Sequence, residues 1–375
     1  MVSLSTALCA ILLLLGLGLL AVHAAAHCPA FFNPCYDAAG TREFCCKSAQ
    51  NGLAAQTYDC SSSCPQAYVA GRYFDRIFTI IFENTDYAAA IADPYFVSLT
   101  RRGDGRLLTN YHGCTHPSLP NYLCQSSGTF YGHTSDAVLA INGTSVVDLL
   151  EPAGISWKAY MEAFNGNCDL TPFTPADGNG YARKHDPFLN IANIINNPAR
   201  CAKVVPAAQL DADISAGTVP QYAYYVPTQR KLERGCRLFR NVIAVVFIIF
   251  FSFEINDAHN SNTSFAAGYL KGFLEPKLAD LNFYDARTLV VITFDENDFV
   301  EPTNRVYTVL LGKFLNADGQ ASNDSSCYNH AAELKTVEEN WGLGNLGTAD
   351  VAAKSFFSGV NQNNAWPTVV CAKAL

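Results

Sequence analysis

Three segments of the chain are apolar or β-branched at nearly every position: Arg76-Ile-Phe-Thr-Ile-Ile-Phe82, Thr288-Leu-Val-Val-Ile-Thr-Phe294 and Val306-Tyr-Thr-Val-Leu-Leu311. A strand with one wet face alternates apolar and polar residues; a continuous run marks a strand covered on both faces. Between these runs, Ser145–Glu151 and Phe265–Leu278 carry helical spacing of their apolar residues. Strands alternating with helices predict an α/β fold, three layers α/β/α with a mostly parallel central sheet. No internal repeat is present.

Two of the predicted strands end in acids, as Phe82-Glu83-Asn84 and Phe294-Asp295-Glu296. Ligands of open α/β sheets bind at the carboxyl ends of strands, so the two ends are expected to converge on one cleft.

Other parts of the chain have a different texture. The apolar run Ile11–Val22, followed by His23-Ala-Ala-Ala26, reads as a signal peptide over residues 1–26. It is short for a stable membrane anchor, although residues 1–6 carry no Lys or Arg. Secretion agrees with the 14 cysteines and with sequons at Asn142, Asn262 and Asn323. Cys28, Cys35, Cys45, Cys46, Cys60 and Cys64 crowd into residues 27–72, among residues too polar to build a core. This is a small disulfide-rich module of open connectivity, either a stapled extension or a cell-wall-binding element. Residues 73–375 form the catalytic domain, with Cys114, Cys124, Cys168, Cys201, Cys327 and Cys371 as further disulfide candidates. A hydrophobic content of 49% excludes disorder, and a net charge of −8 argues against nucleic-acid binding.

The chemistry begins at Cys114-Thr-His-Pro-Ser-Leu-Pro-Asn-Tyr122. A serine in a proline-fixed turn suits a nucleophile but needs activation. No Gly-x-Ser-x-Gly elbow surrounds it, so a bound metal is the simplest activator. Asn256-Asp257-Ala-His259-Asn260, Asp295-Glu296 and Tyr328-Asn-His330 supply oxygen and imidazole donors of the type that hold zinc or a harder divalent ion. Arg183-Lys184-His185 places cations together, suited to a phosphate oxygen or a leaving group.

Seven motifs in order, Phe-Glu-Asn-Thr-Asp-Tyr, Thr-His-Pro-Ser-Leu-Pro-Asn-Tyr, Ser-Trp-Lys-Ala-Tyr-Met-Glu, Lys-His-Asp-Pro-Phe, Asn-Asp-Ala-His-Asn, Phe-Asp-Glu-Asn-Asp and Glu-Glu-Asn-Trp-Gly-Leu, run from about Phe78 to Gly347. In these the chain resembles the secreted acid phosphatase branch of the phosphoesterase family. That family also holds bacterial phospholipases C and belongs to the alkaline-phosphatase-like superfamily. The resemblance implies an alkaline-phosphatase-like domain and a nucleophile followed by Pro two residues on and Gly ten residues on. Ser118, with Pro120 and Gly128, satisfies that register, and Thr115 does not. It further implies Glu83, Asn84, Ser118, Asp257, His259, Asp295, Glu296 and His330 around one or two divalent ions, zinc or similar. His116, Lys184 and His185 would contact phosphate or the leaving group. Asp295-Glu296 stands where the family usually has Asp-His, which bears on the number of ions.

The expected activity is therefore metal-dependent hydrolysis of small phosphate monoesters through a phosphoseryl intermediate. A phospholipase C-type phosphodiesterase is the enzymatic alternative, and a non-catalytic cell-wall or surface binding protein the other.

One stretch departs from the family pattern. Tyr224–Gln229 should run almost directly into Ile255–His259, yet the 25 residues Arg230–Glu254 intervene. Five basic residues fill their first half and the apolar run Val242–Phe253 their second. Cys236 within them makes the cysteine count odd once Cys9 leaves with the signal peptide. Composition, position and parity together read as translated intron; a membrane-surface hairpin is the alternative.

Overall fold

The computed structural model describes residues 69–174, 180–228, 256–258, 262–299, 302–316 and 319–358, with the backbone of four further strands. The main sheet has nine strands. In chain order they are β1 (Arg76–Phe82), β2 (Gly105–His112), β3 (Trp157–Met161), β4 (Val204–Pro206), β5 (Tyr222–Val226), β6 (Thr288–Phe294), β7 (Arg305–Leu311), β8 (Ser322–Asp324) and β9 (Tyr328–Asn329). Their spatial order is β8-β2-β7-β6-β1-β5-β3-β4, with β9 also beside β2. Strand β7 is antiparallel to both its neighbours, and every other pairing is parallel.

The first and sixth strands keep the bounds expected from sequence, and all seven residues of each are buried. They lie side by side at the centre, which is why neither shows the alternation of a half-wet strand. The helices that matter for the site are α1 (Pro94–Thr100), α2 (Ser118–Ser127), α3 (Thr263–Leu278) and α4 (His330–Trp341).

Alternation along the central strands separates two helical layers. Phe78 and Phe82 of β1 pack on Phe283 and on Phe96 of α1. Thr79, between them, donates a 2.5 Å hydrogen bond to Glu333 Oε1 of α4. On β5, Tyr224 donates to Gln125 of α2, while the Tyr225 hydroxyl meets that of Tyr269 on α3 at 2.6 Å. Helices α2 and α4 therefore cover one face and α1 and α3 the other, giving the expected three layers.

Cys114 pairs with Cys124, and Cys168 with Cys201. Cys327 is exposed and has no disulfide partner among the described residues. Asn142, Asn262 and Asn323 are all exposed. Phe32–Tyr36 pairs antiparallel with Arg42–Lys47, bringing the backbone of Cys35 opposite Phe44 and that of Cys45 opposite Pro34. Within the segment read as an insertion, Lys231–Cys236 pairs antiparallel with Ile249–Glu254. The proposed signal peptide, Cys28, Cys60, Cys64, Cys371 and His259 lie outside the described residues. Among those described, no helix is long and apolar enough to cross a membrane.

Candidate active site

The parallel pairing of β1 and β6 puts Phe82 opposite Phe294. Glu83 and Asp295, the next residues, consequently emerge together at the carboxyl edge of the sheet. Asp295 N donates to Phe82 O at 2.9 Å, and Glu83 N donates to Asp257 O at 2.7 Å, which draws in a third acid. Asp295 Oδ1 accepts from Asn84 N at 3.1 Å and from Glu296 N at 2.6 Å. Glu83, Asp257, Asp295 and Glu296 are all buried. Asn84, Ala258, Phe299 and Asn304, around this edge, hold positive φ angles of 39°, 81°, 60° and 49°. Strained backbone of this kind concentrates where a structure over-determines a site.

Ser118 opens α2, every residue of which is buried. Its Oγ donates to Glu83 Oε2 at 2.9 Å. Asn121 and Tyr122 follow three and four residues on, hence on the same face of the helix. The Tyr122 hydroxyl donates to Glu83 Oε1. Asn121 Oδ1 accepts from the backbone of Cys114 and Thr115 at 2.8 and 3.0 Å, and its Nδ2 donates to Glu296 Oε2 at 3.0 Å. Thr115 turns its own hydroxyl to the His116 carbonyl, 3.3 Å away. Gly128 ends the helix at φ +64°, where a Cβ would stand 2.2 Å from Thr348 Oγ1, so a side chain is excluded by both conformation and space.

The cationic groups face these acids. Lys184 Nζ donates to Asp136 Oδ2 at 2.9 Å, and Asp136 Oδ1 accepts from Leu119 N at 3.1 Å, tying the lysine to the first turn of α2. His185 Nε2 lies 3.3 Å from Glu83 Oε2 and Nδ1 lies 3.9 Å from Asp257 Oδ2, with the ring stacked on Tyr122. His116 Nδ1 lies 2.8 Å from Glu296 Oε2. Of the residues singled out in the sequence, Glu83, Asn84, His116, Ser118, Lys184, His185, Asp257, Asp295 and Glu296 are thus brought to one edge of the sheet.

His330 stands apart from that set. Its Nδ1 is 3.2 Å from the Tyr111 hydroxyl and its Nε2 2.6 Å from the Asp295 carbonyl, so both nitrogens are engaged. Burial lowers its pKa to about 4, leaving a neutral ring. In this arrangement it braces the backbone of an acid strand end from behind.

Burial, reinforced by Asp295, raises the Glu83 carboxyl well above its ordinary range, and burial with the Glu296 charge does the same to Asp295. Glu296 is pushed to about 8 by burial and then by Glu83 and Asp136. Burial opposes the Lys184 charge, but Glu83 and Asp136 outweigh it and raise its pKa. Burial lowers His116. Crowded carboxyls in low dielectric favour bound protons or a bound cation.

The donors fit a divalent cation chemically: they are carboxylate and carboxamide oxygens with imidazole nearby. Asn84 Oδ1 and Asp295 Oδ2 are buried with no hydrogen-bond partner among the described residues. No three His, Cys, Asp or Glu side chains among those residues are already drawn together as a ligand set.

Asn121, Tyr122 and Asp136 were not legible as site residues. For the first two a signal existed, since positions three and four beyond a helix-borne nucleophile share its face. For Asp136, in an irregular segment, there was none.

The phosphoesterase family profile matches residues 72–344. A probable acid phosphatase of Kluyveromyces lactis is 33% identical over 289 residues, covering 75% of this chain and 62% of that one. An acid phosphatase of Aspergillus fumigatus is 30% identical over 296 residues, covering 77% and 60%. The chain thus spans about three-fifths of the length of these relatives. Among solved structures, a protein of the alkaline phosphatase superfamily from Vibrio parahaemolyticus aligns at a TM-score of 0.47 and 11% identity, over 78% of this chain and 74% of that one. By the extent of the profile match, 72–344, the chain belongs to the phosphoesterase family.

Proposed function

We propose that this chain is a secreted, metal-dependent acid phosphatase that hydrolyses phosphate monoesters through a phosphoseryl intermediate on Ser118. The observation that carries the reading is the 2.9 Å hydrogen bond from Ser118 Oγ to Glu83 Oε2 at the start of a buried helix. It gives a serine its proton acceptor. The named acid phosphatases among its relatives support the same activity.

Ser118 Oγ attacks phosphorus as its proton passes to Glu83 Oε2, and the bond to the leaving oxygen breaks. His116, at the more exposed side of the cluster with 29% of its side chain accessible, protonates that oxygen. Water then attacks the phosphoserine and gives a proton to His116, while Glu83 returns its proton to Ser118 Oγ. Lys184 and His185 hold the phosphoryl oxygens and offset their charge. Because burial lowers the His116 pKa, its charged, proton-donating form is populated on the acidic side of neutrality. A divalent cation held by Asn84, Asp295, Glu296 and Asp257 would lower the pKa of the Ser118 hydroxyl and neutralise phosphoryl charge.

The test is a comparison of nitrophenyl phosphate with a nitrophenyl phosphodiester, followed by rapid acid quench and peptide mass analysis. Monoester preference and phosphate on the Ser118 peptide are expected. Diester preference would favour the phospholipase-type reading, and phosphate on Thr115 or a histidine would overturn the mechanism.

A further inference from the structure

Among the described residues, Phe299 is the most exposed large hydrophobic side chain, with 66% of its surface in water. It is also held at φ +60°, a conformation that a bulky L-residue adopts only under constraint. The constraint is visible: Phe299 N donates to Asn297 Oδ1 at 3.3 Å, Asn297 N to Asn304 Oδ1 at 2.9 Å, and Asn304 Nδ2 to Thr115 O at 2.7 Å. This chain of bonds runs from the segment after Asp295-Glu296 back to the one that carries the nucleophile. Its effect is to lay the Phe299 ring over His116, with centroids 4.1 Å apart and planes 25° from parallel.

Burying a phenylalanine is favourable, and relaxing a positive φ is favourable; the fold forgoes both. Strain spent on presenting an exposed aromatic ring beside a reacting histidine points to a ligand for that ring. A leaving group seated beside His116 lies next to the ring stacked on it. A planar group there continues the stack, whereas an alkyl group gains less from the same face.

We propose that Phe299 is the leaving-group platform of this site and selects phosphate esters whose alcohol is aromatic. The inference rests on the reading of His116 as a site residue and deepens it by naming the class of leaving group.

The test uses the full chain, with phenylphosphonate and methylphosphonate as uncleavable probes in titration calorimetry. Phe299→Ala should weaken phenylphosphonate by roughly two- to tenfold and methylphosphonate by less than about twofold, the range of one aromatic contact. Phe299→Trp should keep the preference, and Phe299→Leu, which retains bulk without a π face, should lose most of it. Equal losses for both probes, no loss for either, or no binding by the wild type would overturn the proposal. Hydrolysis of aryl and glycerol phosphates by the wild type is measured alongside. An inactive chain that still discriminates the phosphonates through Phe299 would refute the phosphatase mechanism and leave the platform standing.

Discussion

Phe82 and Phe294 stand opposite each other at the ends of two adjacent parallel strands. That register, rather than any feature of the loops, makes Glu83 and Asp295 neighbours. A slip of one residue would turn one acid to the other face of the sheet. The apolar runs before each acid therefore do two things: they bury the centre of the sheet and they set the spacing of the candidate site. Helix α2 then brings Ser118 against Glu83 from the layer above.

Ser118→Ala is expected to lower kcat by at least about a thousandfold with little change in thermal stability, since the proposed nucleophile is lost and a small residue replaces a small one. Thr115→Ala should retain most activity, because its hydroxyl turns to the His116 carbonyl. Steady-state kinetics with a thermal melt on each variant decides the matter; the reverse pattern would move the nucleophile to Thr115.

Metal dependence can be separated from structural support. Chelation should abolish turnover, and Asp295→Asn should reduce metal content and rate together, because Asp295 Oδ2 is one of the unsatisfied buried oxygens. His330→Ala should act mainly on stability. It strands the Asp295 carbonyl and the Tyr111 hydroxyl, at about 1–3 kcal/mol for each buried group left unpaired. Metal analysis beside calorimetric melts reads both effects, and full activity in metal-free protein would remove the cation from the mechanism.

How far the sequence disclosed this site follows from what each residue's role depends on. The strands β1 and β6 were legible because both are buried on two faces and so lack alternation. Gly105-Arg-Leu-Leu-Thr-Asn-Tyr-His112 was not, since β2 mixes buried with half-buried positions and carries polar residues toward the sheet edge. The reversal of β7 is a property of pairing and leaves no trace in composition. Acids at strand ends could be read from the chain, whereas the ties of Asn121 and Tyr122 depend on helical register. His330, as a lone histidine, reads the same in sequence whether it binds a metal or the Asp295 carbonyl it meets here.

The contribution of Glu333 to stability should grow as pH falls from neutral. Glu333 is buried beneath the site, accepting from Thr79 at 2.5 Å and from Gln125 at 2.9 Å, and burial raises its pKa to about 7 from 4.5. The folded state thus binds this proton more tightly than the unfolded state. Its contribution is fully present below 4.5 and is lost as pH rises through 7, at up to ~1.4 kcal/mol per pH unit. Asp186, raised to about 6 by burial, acts in the same direction. Glu333→Gln can donate to Thr79 and accept from Gln125 without titrating, so its melting temperature should vary less across this window. Equal pH slopes for variant and wild type would assign the dependence elsewhere.

The segment Arg230–Glu254 should be dispensable, and the reason lies at its base. Thr228 O accepts from both Asn256 N and Asp257 N at 3.1 Å, so the chain returns to the sheet beside the point where it left. Removing the 25 residues leaves Thr228-Gln229-Ile255-Asn256, four consecutive residues whose first carbonyl and last amide are already at hydrogen-bond distance. That is the closure of a β-turn, so the join needs little movement of Asp257. A loop of this length costs little in closure entropy. The hazard is the apolar run Val242–Phe253 together with Cys236, which leaves an odd cysteine count once Cys9 is removed with the expected signal peptide; both favour aggregation and mispaired disulfides during folding. Deletion of Arg230–Glu254 is expected to raise the yield of secreted, monodisperse protein while preserving kcat/KM, and the corresponding codons should be missing from the mature transcript. A message that retains them, together with a deletion variant that folds but has lost activity, would make the segment a working part of the enzyme.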